Sequence, residues 1–307
     1  NAIKLNPKLS SIWYFKGVAL KNLNDYELAK NCFKQSLVLD KYNDKAYFNL
    51  GSIYRSTKQF DVGIKLLEEA LNLFQSPQIL EVFFTNLSNL HLDKKENQFG
   101  EDYSIVKEYS NKALSINSKN YIALNNLAMS NMFEKKYDLA AIQLAKVVEI
   151  NQNFAPAFRN LGTLNNHLGN FKKAEKNLKS AITIEPSDVS KNFLLSEVLL
   201  HQNKFSEAWK YYEYRWEDTG GQTLKVKPNF TKPMWNPSLG FNINLVIWAE
   251  QGLGDMLLFS SIIPELVKKF KKIYLLIDKR LCRLLGESIP GLLVIDFSKP
   301  IDENFFD

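Results

Sequence analysis

A glycine-rich turn with two carboxylates holds the residues of this 307-residue chain that are best suited to chemistry. Glu250, Gln251, Gly252 and Gly254 follow a run of apolar residues, and Asp255 comes directly after them. Glycines at the carboxyl end of a buried strand let backbone amides and a helix N-terminus face a cleft, which suits an anionic group. Glu250 is open to two interpretations, a cleft carboxylate or a residue that orients the loop.

A second set of candidate binding residues recurs earlier in the chain. An asparagine lies two residues before a small residue in four successive segments, at Asn49, Asn86, Asn126 and Asn160. An amide side chain offers a donor and an acceptor, so it can pair with the backbone of an extended peptide whatever its sequence. The same asparagines could instead hold neighbouring segments together. Phe15 and Leu194 occupy this position in the first and last segments, which confines the predicted ladder to the middle.

The asparagines belong to a repeat of about 34 residues. Its marker is a small residue that returns at steps of 34, 37, 40, 34 and 34, namely Gly17, Gly51, Ser88, Ala128, Gly162 and Ser196. Two antiparallel helices approach closely only where side chains are small, and large residues fill the gaps beside them. The period therefore predicts a row of helical hairpins, each packed on the next.

This period, with small residues at fixed places, resembles the tetratricopeptide repeat (TPR). The resemblance implies a mainly α fold, a right-handed TPR α-solenoid over residues 1–216 with five full repeats and the end of one more. It also implies a groove that holds a protein or peptide. The asparagines are similar to the ladder with which O-linked N-acetylglucosamine transferases grip substrate polypeptides. Because the array opens within the last turn of a repeat, further repeats are expected upstream and the chain is interpreted as a fragment.

The pattern changes after residue 216. A stretch rich in glycine and proline, 217–241, is predicted to be a linker. Apolar runs typical of strands then alternate with helical patterns: 243–249, 273–277 and 292–297 for strands, 255 to about 270 and 280–285 for helices. This alternation predicts a partial α/β segment over 242–307, Rossmann-like, with a parallel sheet. The first run is expected to form a strand buried on both faces.

The order of three features resembles bacterial TPR proteins fused to a glycosyltransferase-like (GT-B) domain, related to heptosyltransferases. The features are a repeat array, the motif YxxRW at 212–216 and the motif WAEQGLGD at 248–255. The resemblance implies that Asp255 is the base that activates an acceptor hydroxyl, and the competing interpretation is a helix N-cap. It also implies a nucleotide-sugar donor for the full-length protein. The chain as given is expected to lack the donor-binding domain, to hold no cofactor and to be inactive.

A non-enzymatic TPR adaptor with a small α/β cap is the alternative function. Other classes are disfavoured by composition. The net charge of +6 is diffuse, which argues against nucleic acid, and there is no run of 18 apolar residues, so no membrane span is predicted. Two cysteines far apart suit the cytoplasm, and three histidines without ligand spacing predict no metal site. The sequence leaves the oligomeric state open.

Overall fold

The computed structural model describes residue 6 and residues 8–95, 102–216, 230–250 and 252–299. The chain divides into two compact units, residues 1–211 and 212–307. The first unit is helical, and the second contains a three-stranded sheet with its own helices. Within the described ranges, no helix is both long enough and apolar enough to cross a membrane.

In the part of the chain that the structure describes, twelve helices up to residue 212 pair into six hairpins, the last through the packing of Ala208 with Leu195, Val198 and Leu199. In order they are α1 Ser10–Asn22, α2 Tyr26–Leu39, α3 Asp44–Ser56, α4 Phe60–Leu71, α5 Pro77–Lys94, α6 Ser104–Ile116, α7 Tyr121–Phe133, α8 Tyr137–Ile150, α9 Ala155–His167, α10 Phe171–Ile184, α11 Ser190–His201 and α12 Phe205–Tyr212. The sequence prediction of five full repeats is therefore wrong by one. Each of the six small residues marks a hairpin of its own, and five is the number of steps between them.

Each hairpin closes where a small residue of its first helix meets a large residue of its second. A methyl group added at Gly162 would lie 2.6 Å from Leu178 Cγ, and one added at Gly51 would lie 3.1 Å from Leu67 Cδ1. Both leucines are fully buried. Contacts below 3.0 Å are essentially never seen for real Cβ atoms, so a side chain at Gly162 would force Leu178 to move. The predicted role of the small residues is confirmed at these positions.

The turn inside the hairpins is closed by a residue in the left-handed region. This residue lies seven positions after the small residue in five hairpins, with φ between 56° and 73°: Asn24, Lys58, Lys135, Gly169 and Asn203. Such a residue ends a helix and lets the chain reverse. In the third hairpin the matching Lys95 has a φ of −74°, and this is the hairpin in which the next helix begins only at Ser104.

We predict that Gly162→Val lowers the melting temperature, because two methyl groups would overlap Leu178 in a filled core. Overpacking of this kind costs about 1–3 kcal/mol. Ser196→Ala is the control, since Ser196 occupies the same repeat position and already has a Cβ atom. Thermal unfolding followed by circular dichroism measures both. Equal melting temperatures for the parent and Gly162→Val would contradict the packing described above.

The second unit contains a parallel sheet with strand order β1-β2-β3. Its elements are β1 Asn244–Trp248, α13 Leu253–Ser260, α14 Ile263–Val267, β2 Lys272–Ile277, α15 Lys279–Ser288 and β3 Leu292–Asp296, with 3₁₀ turns at Glu213–Trp216 and Pro237–Leu239. Helices connect each strand to the next, as the strand–helix alternation predicts. The fold class, a helical TPR-like solenoid followed by a small parallel sheet, is confirmed.

Two details of this unit differ from the sequence prediction. The helix expected from 255 to about 270 is two helices, and Pro264 stands at the second position of α14, where its missing amide hydrogen is tolerated. The strand expected to be buried on both faces, β1, is half-buried along its length because it is an edge strand. The central strand β2 is buried at five of its six residues. Most of the predicted linker, 217–229, lies outside the described residues.

Candidate functional site

The first helices of the six hairpins lie in a row. Helices α1, α3, α5, α7, α9 and α11 each contact the next member of this series. We call the surface that they form the A-helix face. All four asparagines of the predicted ladder are on these helices, so the repeat pattern places them correctly on one series of elements.

Two of the asparagines bridge neighbouring helices. Asn126 of α7 donates from Nδ2 to Asn89 Oδ1 (2.6 Å) and to Ser88 Oγ (3.1 Å), both on α5. Asn160 of α9 donates from Nδ2 to Asn125 Oδ1 of α7 (2.8 Å). Asn126 and Asn160 are each 3% exposed. Their amide nitrogens are thus engaged inside the stack of hairpins.

The other two asparagines lie closer to the surface. Asn49 of α3 accepts a hydrogen bond from Lys21 Nζ of α1 (3.0 Å) and donates to the Lys45 carbonyl (2.9 Å). Asn86 is half-buried and donates to the Val82 carbonyl of its own helix (2.7 Å). Hydrogen bonds to a neighbouring A helix are made by Asn49, Asn126 and Asn160. They agree with the interpretation that these residues hold the repeats together. Contact with a bound peptide stays a prediction for all four.

We predict that Asn126→Ala destabilises the fold by about 1–3 kcal/mol, because Asn89 Oδ1 would lose its donor in a buried environment. Asn86→Ala should cost far less, since its hydrogen bond stays within one exposed helix turn. Urea unfolding of the two variants, compared with the parent, measures the difference. Equal free energies of unfolding for the two variants would show that the buried bridge adds nothing to the stack.

A cavity of about 400 Å³ opens on the A-helix face of the first three hairpins. Its lining comes from α1, α3 and α5: Tyr14, Asp44, Lys45, Phe48, Asn49, Ile79, Val82 and Phe83. Phe48 and Val82 are 39% and 40% exposed, which is high for large apolar side chains that line a cavity. From the sequence, only Asn49 of this set was identified as a candidate. A signal was present, because Tyr14 and Phe48 both lie three residues before the small glycine of their repeat.

Lys21 lies beside this cavity. Its ammonium donates to Asn49 Oδ1 and to Ser52 Oγ (3.2 Å), and it lies 5.9 Å from the centre of the Phe48 ring. Burial lowers the pKa of the Lys21 ammonium. The side chain is therefore a partly desolvated cation held by neutral partners.

A carboxylate lies on the last A helix, α11. Burial raises the pKa of the Glu197 carboxyl of α11, and the charge of His201 acts in the opposite direction. On the preceding A helix, Asn166 Oδ1 is buried without a hydrogen-bond donor among the described residues. Both groups are hydrogen-bond acceptors, whereas Lys21 on the first A helix is a cation.

In the second unit, the two motifs noted in the sequence meet at one ion pair. Arg215 of the YxxRW motif donates from Nε and Nη2 to the two carboxylate oxygens of Glu250, each at 2.9 Å. It also donates to Glu213 (3.0 Å), and its guanidinium lies over the rings of Tyr212 and Trp216, 4.5 and 4.3 Å from their centres. Burial opposes the charge of Arg215, but the hydrogen bonds to Glu250 and Glu213 outweigh it and raise the guanidinium pKa.

This pair favours one of the two interpretations of Glu250. Both of its carboxylate oxygens bind Arg215, so Glu250 fixes the chain where β1 ends. Gly252 is the N-cap of α13, and Asp255 is an exposed residue in the first turn of that helix. The N-cap interpretation of Asp255 is therefore wrong in its position, because the helix already begins at Leu253. A carboxylate in the first turn is still stabilised by the helix dipole.

Gln251 and Gly254 are the remaining members of the predicted loop. Gln251 lies outside the described residues. Gly254 has open space beside it, since an added methyl group would meet no atom within 4 Å apart from its chain neighbours and the backbone of its own helix. Among the described residues, no group of three or more His, Cys, Asp or Glu side chains is arranged to hold a metal ion.

Comparison with known proteins identifies the repeats. The family model described as "Tetratricopeptide repeat" matches residues 10–43, 44–77 and 155–188, which correspond to the first, second and fifth hairpins. The crystal structure of the APC/C hetero-tetramer Cut9-Hcn1 is similar with a TM-score of 0.63 and 15% identity, over 72% of this chain and 42% of that chain. The chain therefore carries tetratricopeptide repeats in a TPR-like fold.

Two curated proteins are similar in sequence. Protein FlbA of Caulobacter vibrioides is 26% identical over 150 residues, which are 46% of this chain and 24% of FlbA. Protein O-mannosyl-transferase TMTC3 of Homo sapiens is 23% identical over 204 residues, which are 66% of this chain and 22% of TMTC3. The chain thus covers about a quarter of the length of each of these relatives.

Proposed function

We propose that this chain is a protein-binding scaffold that holds a polypeptide segment on the A-helix face of its first three hairpins. The observation that carries the proposal is the cavity bounded by α1, α3 and α5, with Phe48 and Val82 of its lining partly exposed to solvent. Exposed apolar side chains in a concave, partly polar site are typical of binding surfaces.

Peptide recognition is assigned to side chains that the stack leaves accessible. Asn126 and Asn160 are buried and bridge helices, so they are less available than Phe48 and Lys45 at the cavity. Large aromatic anchors usually supply most of the affinity of such surfaces. Phe48 is the most exposed aromatic residue of the lining.

The scaffold has two possible settings, and we favour the first. It is the substrate-recognition arm of a glycosyltransferase, to which the second unit contributes the acceptor side of a GT-B domain. This assignment is supported by the parallel strands, each connected to the next by helices, and by the helix that begins after the Gly252 turn. The similarity to a protein named as an O-mannosyl-transferase agrees with it. In the second setting the chain is a non-enzymatic adaptor, and the second unit is a structural cap.

We predict that Phe48→Ala weakens the binding of peptides selected from a random displayed library by about tenfold or more, since loss of an aromatic anchor costs about 1.4–4 kcal/mol. Fluorescence anisotropy with the selected peptides measures the dissociation constants. Ile142→Ala is the matched control, because Ile142 is 68% exposed and lies on α8, a second helix of its hairpin. Failure to select any peptide, or equal affinities for both variants, would refute binding at this cavity.

The two settings are separated by a test of sugar transfer. In protein expressed from the complete gene, the transferase setting predicts incorporation of labelled sugar from a nucleotide-sugar donor. Asp255→Asn should lower this rate by about 100-fold or more if its carboxylate is the base, without a change in melting temperature, because Asp255 is exposed. Incorporation that is absent from the parent protein favours the adaptor, and an unchanged rate in Asp255→Asn removes the proposed base.

A further inference from the structure

The charge of Lys21 is not balanced within the described part of the chain. Its ammonium is held by the neutral oxygens of Asn49 and Ser52, and no described carboxylate lies within ion-pair distance of it. Burial lowers the pKa of this ammonium, and no acidic neighbour contributes to the shift. A partly desolvated cation with neutral partners is a favourable site for an external anion.

The repeat itself provides an internal comparison. Arg55 occupies in α3 the position that Lys21 occupies in α1, four residues after the small glycine. Arg55 Nε pairs with Asp93 Oδ2 of the next A helix at 2.6 Å. The residue of α3 that corresponds to Asp93 is Ser56, which is exposed and donates to the carbonyl of Ser52. The first pair of A helices therefore lacks the carboxylate that the second pair has.

The unbalanced cation and the cavity are adjacent. Asn49 binds Lys21 and lines the cavity, and the Lys21 ammonium lies 5.9 Å from the centre of the Phe48 ring, which also lines the cavity. The lining itself contains one acid and one base, Asp44 and Lys45, whose formal charges cancel. Lys21 therefore gives this region a net positive charge.

We propose that the first three hairpins select polypeptide segments in which an apolar residue is next to an acidic one. The carboxylate of the segment pairs with Lys21, in the way that Asp93 pairs with Arg55, and the apolar side chain enters the cavity beside Phe48. This inference rests on the proposed peptide binding and names the chemistry of the partner. A free anion would use only the cation, whereas a peptide uses both halves of the site.

The test uses the 307-residue chain and a peptide array in which an apolar residue is followed by Glu or, in matched peptides, by Gln, with the other positions varied. The strongest Glu peptides should bind about tenfold more tightly than their Gln partners, as expected for one charge-assisted hydrogen bond. Lys21→Met should abolish this preference. Binding is measured by fluorescence anisotropy, and high salt should reduce the preference.

A carboxylate supplied by the chain itself gives the sharper comparison. Ser56→Asp places an acid where the next repeat has Asp93, so it should occupy Lys21 and remove the preference for Glu peptides. Ser56→Asn has the same size without the charge and should keep the preference. An equal affinity for Glu and Gln peptides in the parent, or the same behaviour of the two Ser56 variants, overturns the inference.

These outcomes also separate the inference from the function that it refines. Equal binding of Glu and Gln peptides that is lost in Phe48→Ala leaves peptide capture intact and rejects only the role of Lys21. If the parent binds none of the array peptides, the inference is rejected, and the selection from a random library then decides the proposed function.

Discussion

Close packing of the two helices in each hairpin sets the geometry on which the other features depend. The helices approach until the backbone at Gly162 leaves no room for a methyl group beside Leu178. The same register, repeated along the chain, brings the first helices of successive hairpins into contact. Polar side chains on those helices then lie within hydrogen-bond distance of the next hairpin, as Asn160 does of Asn125. A small residue in the core thus fixes which polar groups meet between repeats, and a repeat array is stabilised by these nearest-neighbour contacts.

Different hairpins of the A-helix face therefore serve different purposes, stability in the middle and binding at the first hairpins. Asparagines in the middle hairpins satisfy each other inside the stack, where an unpaired amide would cost stability. In the first hairpins the pairing is incomplete: a cation has neutral partners, and a cavity exposes Phe48. The second unit also combines a paired group with an accessible one. Arg215 and Glu250 pair and hold the end of β1, and Asp255 beyond them is exposed.

The sequence predicts those parts of the molecule that periodicity determines. The 34-residue step gives the hairpins and the face on which the asparagines lie, and the strand–helix alternation gives the parallel sheet. Periodicity does not tell whether an amide faces a ligand or the next helix, since Asn126 is suited to both by chemistry. Nor does it show that Lys21 lacks an acid, because its potential partner at Ser56 belongs to the next repeat and is recognised only when registers are compared. The exposure of β1 was missed because an apolar run shows strand formation but not the position of the strand in the sheet.

Hydrogen–deuterium exchange with and without a bound acidic–apolar peptide tests the central claim most directly, because it locates the bound segment on the chain. If the A-helix face of the first three hairpins holds the peptide, amides of α1, α3 and α5 should exchange more slowly in the complex. Amides of α8 and α10, which belong to the second helices of later hairpins, should change little. Protection confined to those helices, or to the parallel sheet of the second unit, would contradict the account.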